Sequence, residues 1–361
     1  MRALPARRRT EAPGRDPVVA EAVGDATIVL VQADPEAYLL PEPAIRLVSV
    51  LARREDLSLA LPVSNESPSE ESRFTPPFGY LTPTQLCEAV SFVAASAGSP
   101  RPAAAPASPV YAVRRSVLSA LPPELQLRSV PAEAARRGLA AAIDPGAYVH
   151  RYGAMDASAR EDLATKIPPG AAEVLDVGCS RGATAPALRA RGARRIVGIE
   201  PDPEDAAAAA VVYDRVIASR IEDVREDFRG RFDAILFGDV LEHLADPSDA
   251  LVRVRPWLSE RGVLVASVPN AGHWSIVDDL IRGRFDYVPY SILSGTHLRL
   301  FTRSTLVDLF EASGYRVTEI DTVVLPASPE GSSRRDRLAR FPGSSPDLDV
   351  AEFLAVADAR R

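Results

Sequence analysis

The carboxy-terminal part of this chain is predicted to be α/β: a Rossmann-like, doubly wound, mostly parallel seven-stranded sheet ending in an antiparallel hairpin. A small α/β region precedes it. Three observations predict this. From about Asp144 onward, apolar strand-like runs alternate with helical segments, as in a parallel sheet covered on both faces. The run Glu173-Val174-Leu175-Asp176-Val177 passes directly into the turn Gly178-Cys179-Ser180-Arg181-Gly182, which opens a helix. A second apolar run, Arg195–Ile199, ends on the carboxylate of Glu200. Buried strand, tight turn and a second strand closing on an acid together place a nucleoside-containing ligand at the carboxyl edge of such a sheet.

Each element follows from local pattern. Strands are expected at Glu173–Val177, Arg195–Ile199, Arg215–Ala218, Phe232–Phe237 and Gly262–Val268, then at Tyr315–Val324 and Glu352–Ala357 as the terminal hairpin at a sheet edge. Helices fit between them at Gly182–Arg191, Pro203–Ala210, Pro247–Leu258 and Arg303–Ser313. The last has a capping residue in Thr302, an apolar stripe of Leu306, Leu309 and Phe310, and Gly314 as its stop. Pro256 is expected to end or kink the helix that contains it. Residues 1–25, with Arg7-Arg8-Arg9, read as a disordered tail. The Pro- and Ala-rich stretch 98–109 reads as a flexible connection, and the Ser-, Pro-, Gly- and Arg-rich stretch 326–347 as a flexible loop. Domain boundaries are expected at 26–130 and 145–361.

Composition narrows the class. With 361 residues, 46% hydrophobic and 25% charged, the chain can build about two globular domains. A net charge of -7 argues against a nucleic-acid partner bound through phosphate neutralisation. Two cysteines, Cys87 and Cys179, exclude a disulfide scaffold. No apolar run approaches the roughly 20 residues of a membrane span, and no secretory signal is read at the start. A cytoplasmic location is expected.

The letters of the turn discriminate between nucleoside ligands. A dinucleotide fingerprint starting at Gly178 needs two further glycines, where this chain has Ser180 and Ala183. The turn thus lacks the glycine that lets backbone approach a pyrophosphate. It gains Asp176, which repels a pyrophosphate and favours a cation. The pattern D-x-G-x-S-x-G points to S-adenosyl-L-methionine.

At these residues the chain resembles the class I S-adenosylmethionine-dependent methyltransferases, in particular the branch around ubiquinone-biosynthesis O-methyltransferases and their relatives in surface-glycan gene clusters. Four blocks carry the likeness, in family order, over roughly residues 145–325. They are Val174–Gly182; Gly198-Ile199-Glu200-Pro201-Asp202; Phe232-Asp233-Ala234-Ile235 with Asp239-Val240-Leu241-Glu242-His243-Leu244 and Asp246-Pro247; and Val268-Pro269-Asn270 with Thr296–Thr302. The resemblance implies that Asp176 meets the methionine end of the cofactor and that Glu200 accepts both ribose hydroxyls. It implies that Gly178 and Gly182 let backbone pass close to the ligand, with Ser180 at a commonly glycine position. Asp239 and Val240 would lie where the fourth strand opens toward the transferred methyl. After the third strand, where relatives often present an acid to the adenine amine, the run is Ser219-Arg220-Ile221-Glu222; Arg220 takes the acid's place and Glu222 is the substitute.

Methyl transfer from a sulfonium is an in-line displacement, so alignment and exclusion of water supply much of the rate. A hydroxyl acceptor also benefits from a base. Of four histidines, His297 is favoured over His243 for that role. Metal is not expected, because adjacent Glu242 and His243 are not a ligand set and no third ligand has diagnostic spacing. Trp274, Phe285, Tyr287 and Tyr290 are lid or packing candidates. Asp278, Asp279 and Arg282 read as a solvated helix face.

The amino-terminal region offers strand-like Ala26–Val31 and Leu57–Pro62, helical Pro43–Arg53, and the run Pro109–Leu118. This order weakly resembles the middle of a family-2 glycosyltransferase. The sugar-nucleotide half has no counterpart, and Ala33-Asp34-Pro35 holds one acid where two belong. The sequence thus predicts a methyltransferase acting on oxygen of a saccharide or small metabolite, a small-molecule or glycan acceptor being its partner. A non-catalytic binding protein on a decayed methyltransferase fold, or a glycosyltransferase-related protein, are the alternatives.

Overall fold

The computed structural model describes residues 19–21, 27–34, 37–67, 69–108, 110–151, 159–288 and 291–360. The chain divides into two compact units, Met1–Ala154 and Met155–Arg361.

The first unit contains β1 (Val19–Glu21), β2 (Ile28–Gln32), β3 (Ala37–Tyr38), α1 (Pro41–Arg53), β4 (Leu59–Ser64), α2 (Pro83–Ser96), β5 (Arg101–Pro102), β6 (Val110–Arg114), α3 (Arg115–Ala120), α4 (Val130–Arg136) and β7 (Ala141–Arg151). Its sheet runs β1-β2-β6-β4-β7-β3, with β5 added on β7. Prolines in the first turn of α1 suit a helix start, and Leu47, Val50 and Leu51 form its buried stripe. The register of β4 on β7 jumps from Pro62↔Asp144 to Val63↔Tyr148. A bidentate pair from Arg46 to Asp144, at 3.2 and 3.0 Å, anchors that bulge.

Three boundaries differ from the sequence reading. Residues 145–151, assigned above to the carboxy-terminal domain, belong to β7 of the first sheet. The stretch 98–109 is not a free connection, because β5 pairs with β7 and the Ala103 amide donates to Ala141. The predicted tail lies outside the described residues except for β1, which pairs antiparallel with β2.

The second unit contains α5 (Glu161–Lys166), β8 (Glu173–Val177), α6 (Ala185–Ala190), β9 (Arg195–Glu200), α7 (Pro203–Ala209), β10 (Arg215–Ala218), β11 (Phe232–Gly238), α8 (Pro247–Val254), β12 (Leu258–Pro269), α9 (Trp274–Ile281), α10 (Arg303–Ala312), β13 (Tyr315–Val324), α11 (Pro329–Ala339) and β14 (Val350–Ala359). The sheet order is β10-β9-β8-β11-β12-β14-β13. Strands β10 through β12 are parallel, and β14 is antiparallel to both neighbours. The terminal strands pair antiparallel at one edge of the sheet as expected, with β13 outermost and β14 between it and β12. The order reverses between β8 and β11, the topological switch point at which such sheets open a crevice. Two apolar layers sandwich the sheet, one containing Leu175, Phe237 and Phe310, the other Val174, Leu188 and Leu236. Pro256 ends α8 in a short 3-10 turn, Arg255–Trp257.

The stretch 326–347, read as a loop, contains α11. Ser328 caps it by accepting from the Gly331 amide at 3.0 Å. Arg334 lies over the Trp274 ring, 5.5 Å from its centroid, and pairs with Asp278 at 3.2 Å. The acids of α9 are therefore not solvated: Asp278 is 9% and Asp279 5% exposed. Polar residues on two facing helices neutralise each other, which removes the apolar period that sequence reading depends on.

Asp233 ties the amino-terminal edge together. Its Oδ2 accepts from the Ala172 and Glu173 amides at 2.9 and 3.1 Å, and its Oδ1 from Ser259 at 3.2 Å. Asp233→Ala leaves two amides without their acceptor and is expected to lower unfolding free energy by about 2 kcal/mol in urea denaturation.

Candidate active site

The carboxyl ends of β8 and β11 meet at the switch point. Gly178 has φ +73° and Gly182 φ +83°, the left-handed region that glycine enters without strain. A Cβ on Gly178 would lie 2.4 Å from Val240 Cγ2, so the two strand ends approach closely only with glycine there. A Cβ on Gly182 would lie 2.6 Å from Val212 and 3.1 Å from the Ala209 Cα, so that glycine serves packing under α7. Between them Ser180 adopts φ +44° without being glycine.

Glu200 clasps this turn from the end of β9. Its Oε2 accepts from the Ser180 amide and its Oε1 from the Asp202 amide, each at 2.9 Å. Desolvation raises its pKa against these hydrogen bonds. Asp202 in turn caps α7, accepting from the Glu204 and Asp205 amides at 2.9 and 3.2 Å.

Asp176, 6% exposed, accepts from the Tyr213 hydroxyl at 2.6 Å. Burial is the main reason its pKa is pushed up to about 6; the Tyr213 hydrogen bond opposes that rise and Glu200 adds to it.

At the end of β11, Asp239 has φ +53°. Ser267 donates to its carboxylate at 2.8 Å and accepts from its amide at 3.0 Å. Arg160 also pairs with Asp239, and it reaches Glu352 at 2.5 Å and Asp162 at 2.8 Å. Burial, then the neighbouring Asp239, pushes Glu352 up to about 7.

Beyond Val240, Glu242 is 1% exposed, and its Oε2 has no hydrogen-bond partner among the described residues. Burial and then Asp239 hold its pKa well above the usual carboxylate range. Its carbonyl accepts from the Leu298 and Arg299 amides at 2.8 and 3.0 Å, which brings the 296–299 segment across. His297 and His243 meet edge to face with centroids 4.7 Å apart. Nδ1 of His297 lies 2.9 Å from the Ile292 carbonyl, and Nδ1 of His243 lies 3.2 Å from the Thr296 carbonyl. A carbonyl only accepts, so each Nδ1 carries the proton and each Nε2 keeps a lone pair. Burial lowers the pKa of His297, which favours the neutral ring.

Comparison with known proteins decides the family. A family profile described as a methyltransferase domain matches residues 148–320. The ubiquinone biosynthesis O-methyltransferase of Nitrobacter winogradskyi is 31% identical over 194 residues, covering 52% of this chain and 68% of that protein. The chain belongs to the class I S-adenosylmethionine-dependent methyltransferases. The protein of the same description from Bradyrhizobium diazoefficiens is 34% identical over 132 residues, 36% of this chain and 51% of its own. A solved SAM-dependent methyltransferase from Archaeoglobus fulgidus aligns at 18% identity with a TM-score of 0.41, covering 55% of this chain and 90% of that one. The protein is thus an enzyme of methyl transfer, and its cofactor is S-adenosyl-L-methionine. The residues at the switch point suit that cofactor: an acid at each of two strand ends for a cationic, ribose-bearing ligand, and a turn with no room for further side chains.

The methyltransferase brings most of the sequence-predicted residues to one edge. Gly178 touches Val240, Ser180 is bonded to Glu200, and His243 meets His297 edge to face. Ile221 is otherwise placed: it belongs to the buried cluster that includes Val177, Ile199 and Phe237. Glu222 is half-buried beside it, and Arg220 is exposed. Trp274 is buried against α11, whereas Phe285 and Tyr287 are exposed; Tyr290 lies outside the described residues. Arg160, Glu352 and Tyr213 were missed, since each reaches the site from a segment without a motif. No third metal ligand was legible in the sequence, but the fold supplies one. One ligand atom each from Glu242, His243 and His297 lie within 4.8 Å of one another, a set able to take a divalent cation.

Two stability measurements follow. Ser180→Gly relieves a left-handed conformation and is expected to stabilise the protein by about 0.5–1 kcal/mol in denaturant titration. Asp176 stands at about 6 against an ordinary 3.8, which at 1.36 kcal/mol per pH unit amounts to about 3 kcal/mol. A group whose folded pKa is raised stabilises fully below its unfolded pKa and loses that contribution as pH rises through the folded value. Asp176→Asn without cofactor is therefore expected to be more stable than wild type above pH 6, by up to about 3 kcal/mol, with the gap closing toward pH 4.

Proposed function

We propose that this methyltransferase methylates a hydroxyl oxygen of a small molecule, using Asp176, Gly178, Ser180, Glu200, Asp239 and Val240 to hold the cofactor and His297, assisted by His243, to take the hydroxyl proton. The observation that carries this reading is the pair of histidines whose Nδ1 atoms face backbone carbonyls, which leaves each Nε2 a lone pair, in a cluster with the buried Glu242 carboxylate. Bound S-adenosylmethionine supplies an activated methyl group on a sulfonium.

The protein's own residues do the rest. Glu200 is fixed by two amides and presents its remaining lone pairs for ribose hydroxyls. Asp176 offers the oxygen not engaged by Tyr213 to the ammonium. Arg160 and Ser267 hold Asp239 in its left-handed conformation at the mouth of β11, so Val240 stays against Gly178. His297 accepts the acceptor's proton at Nε2, and the Ile292 carbonyl stabilises the resulting imidazolium through Nδ1–H. The described relatives are named for O-methylation in ubiquinone biosynthesis, which supports an oxygen acceptor and directs a screen toward hydroxylated intermediates of that pathway beside free saccharides. We assign the methyltransferase domain to the second unit.

A second reading is favoured by the orphaned Oε2 of Glu242. Glu242, His243 and His297 would hold a divalent cation, which would acidify a coordinated hydroxyl and make the histidines ligands instead of bases.

Calorimetric titration of S-adenosylmethionine tests the cofactor site: Glu200→Gln, which keeps one acceptor oxygen, is expected to weaken binding about tenfold. Turnover on the acceptor found by the screen tests the base: His297→Ala is expected to lower kcat roughly 100-fold or more, and His243→Ala less. Loss of turnover on chelation, restored by added divalent metal, would select the second reading.

A further inference from the structure

We propose that Tyr213 is a positioning residue of the cofactor site, its hydroxyl fixing one carboxylate oxygen of Asp176 so that the other faces the positively charged end of S-adenosylmethionine. The inference rests on the reading that Asp176 meets that end.

Tyr213 lies between α7 and β10, away from every motif of the family resemblance. It is 5% exposed, yet its hydroxyl reaches across β9 to Asp176 on β8, at 2.6 Å. A gap in β9 admits the ring. Gly198 interrupts the branched apolar run Ile196-Val197-Gly198-Ile199. A Cβ there would lie 2.7 Å from Tyr213 Cδ2 and 2.5 Å from Cys179 Sγ. Gly198 thus explains itself as the space through which the ring passes, and the ring as the carrier of one hydroxyl to one carboxylate.

The chemistry of the pair is one-sided. Burial, then the Asp176 charge, pushes the phenol far above its usual range, so Tyr213 stays protonated and only donates. Three other groups face Asp176. Glu200, at the end of β9, opposes its ionisation, and Arg160, ahead of α5, favours it. Cys179 in the turn is kept neutral by burial. Among these, Tyr213 alone bonds directly to the carboxylate and favours its charged form. A cationic ligand needs that charge, and a carboxylate free to rotate in a buried site would spread it over several orientations.

Calorimetric titration of the full-length protein with S-adenosylmethionine between pH 5 and 8.5 tests this, using wild type, Tyr213→Phe, Gly198→Ala and Asp176→Asn. Wild-type affinity is expected to fall as pH drops through about 6. Tyr213→Phe, which keeps the ring, is expected to begin that fall about one pH unit higher and to bind about fivefold more weakly at pH 6, approaching wild type at pH 8.5. Gly198→Ala, which displaces the ring, is expected to move the limb in the same direction. Asp176→Asn is expected to bind weakly at every pH with no such limb. Tyr213→Phe superimposing on wild type while Asp176→Asn loses binding would overturn the role of Tyr213 alone. Wild-type binding by Asp176→Asn would instead remove the underlying reading of Asp176. A uniform loss of affinity in Tyr213→Phe, with the limb unmoved, would mark the hydroxyl as structural support only and also refute the proposal.

Discussion

The hydrogen bonds from the Ser180 and Asp202 amides to the single carboxylate of Glu200 are the interaction on which this site depends. The turn after β8 passes through three left-handed residues within five positions, and only two of them are glycines. Such a path is not self-supporting; it persists where surrounding contacts determine it. Glu200 supplies those contacts from the next strand, so the acid proposed above for the ribose hydroxyls also shapes the neighbouring loop. Preorganisation of this kind lets a ligand bind without first ordering the loop.

Around that clasp the second unit concentrates acids in a poorly solvated crevice. Asp176, Glu200, Glu242 and Glu352 are all pushed toward their neutral forms, with burial as the leading cause in each. Arg160 answers part of this charge through Asp162, Asp239 and Glu352. The remainder is an electrostatic demand that suits a cationic ligand such as the sulfonium- and ammonium-bearing cofactor. Removing one partner from such a cluster leaves another charge buried and uncompensated, so substitutions here act on several groups together.

The strands of this domain were legible because buried parallel strands are short apolar runs bounded by turns. The acids at the ends of β8 and β9 were legible because each follows such a run. The missing parts share one cause: they are made by pairing across the sequence rather than by a local period. Helix α11 has few apolar residues and is held by Ser328, Trp274 and the Arg334–Asp278 pair. Asp278 and Asp279 look solvated until that helix is laid over them. His297 becomes a neighbour of His243 only because the amides of Leu298 and Arg299 bond to the Glu242 carbonyl. The boundary near 145 was misplaced because β7 is itself an apolar strand, and a strand does not announce which sheet it joins. The glycosyltransferase likeness of the first unit has no counterpart among the relatives described above.

The two edges of the second sheet show how an acid's partners separate structure from function. At the amino edge, Asp233 and Asp214 are saturated. Asp233 takes two amides and a hydroxyl. Asp214 takes the Ile196 amide at 2.6 Å and Arg189 at 2.7 Å, which together outweigh its burial and hold its pKa below the usual range. At the carboxyl edge the balance reverses: burial wins, Asp176 has one hydroxyl donor, and Glu242 keeps an oxygen with no partner among the described residues. An acid that spends most of its lone pairs on donors of the protein, as Asp233 does, stabilises the fold and has little left for a ligand. An acid buried short of donors costs stability until something else supplies them. The acids where the strands begin are of the first kind; where they end, Glu200 gives one lone pair of each oxygen to an amide and keeps the others, and Asp176 and Glu242 are paired less still, a pattern that suits groups receiving a ligand.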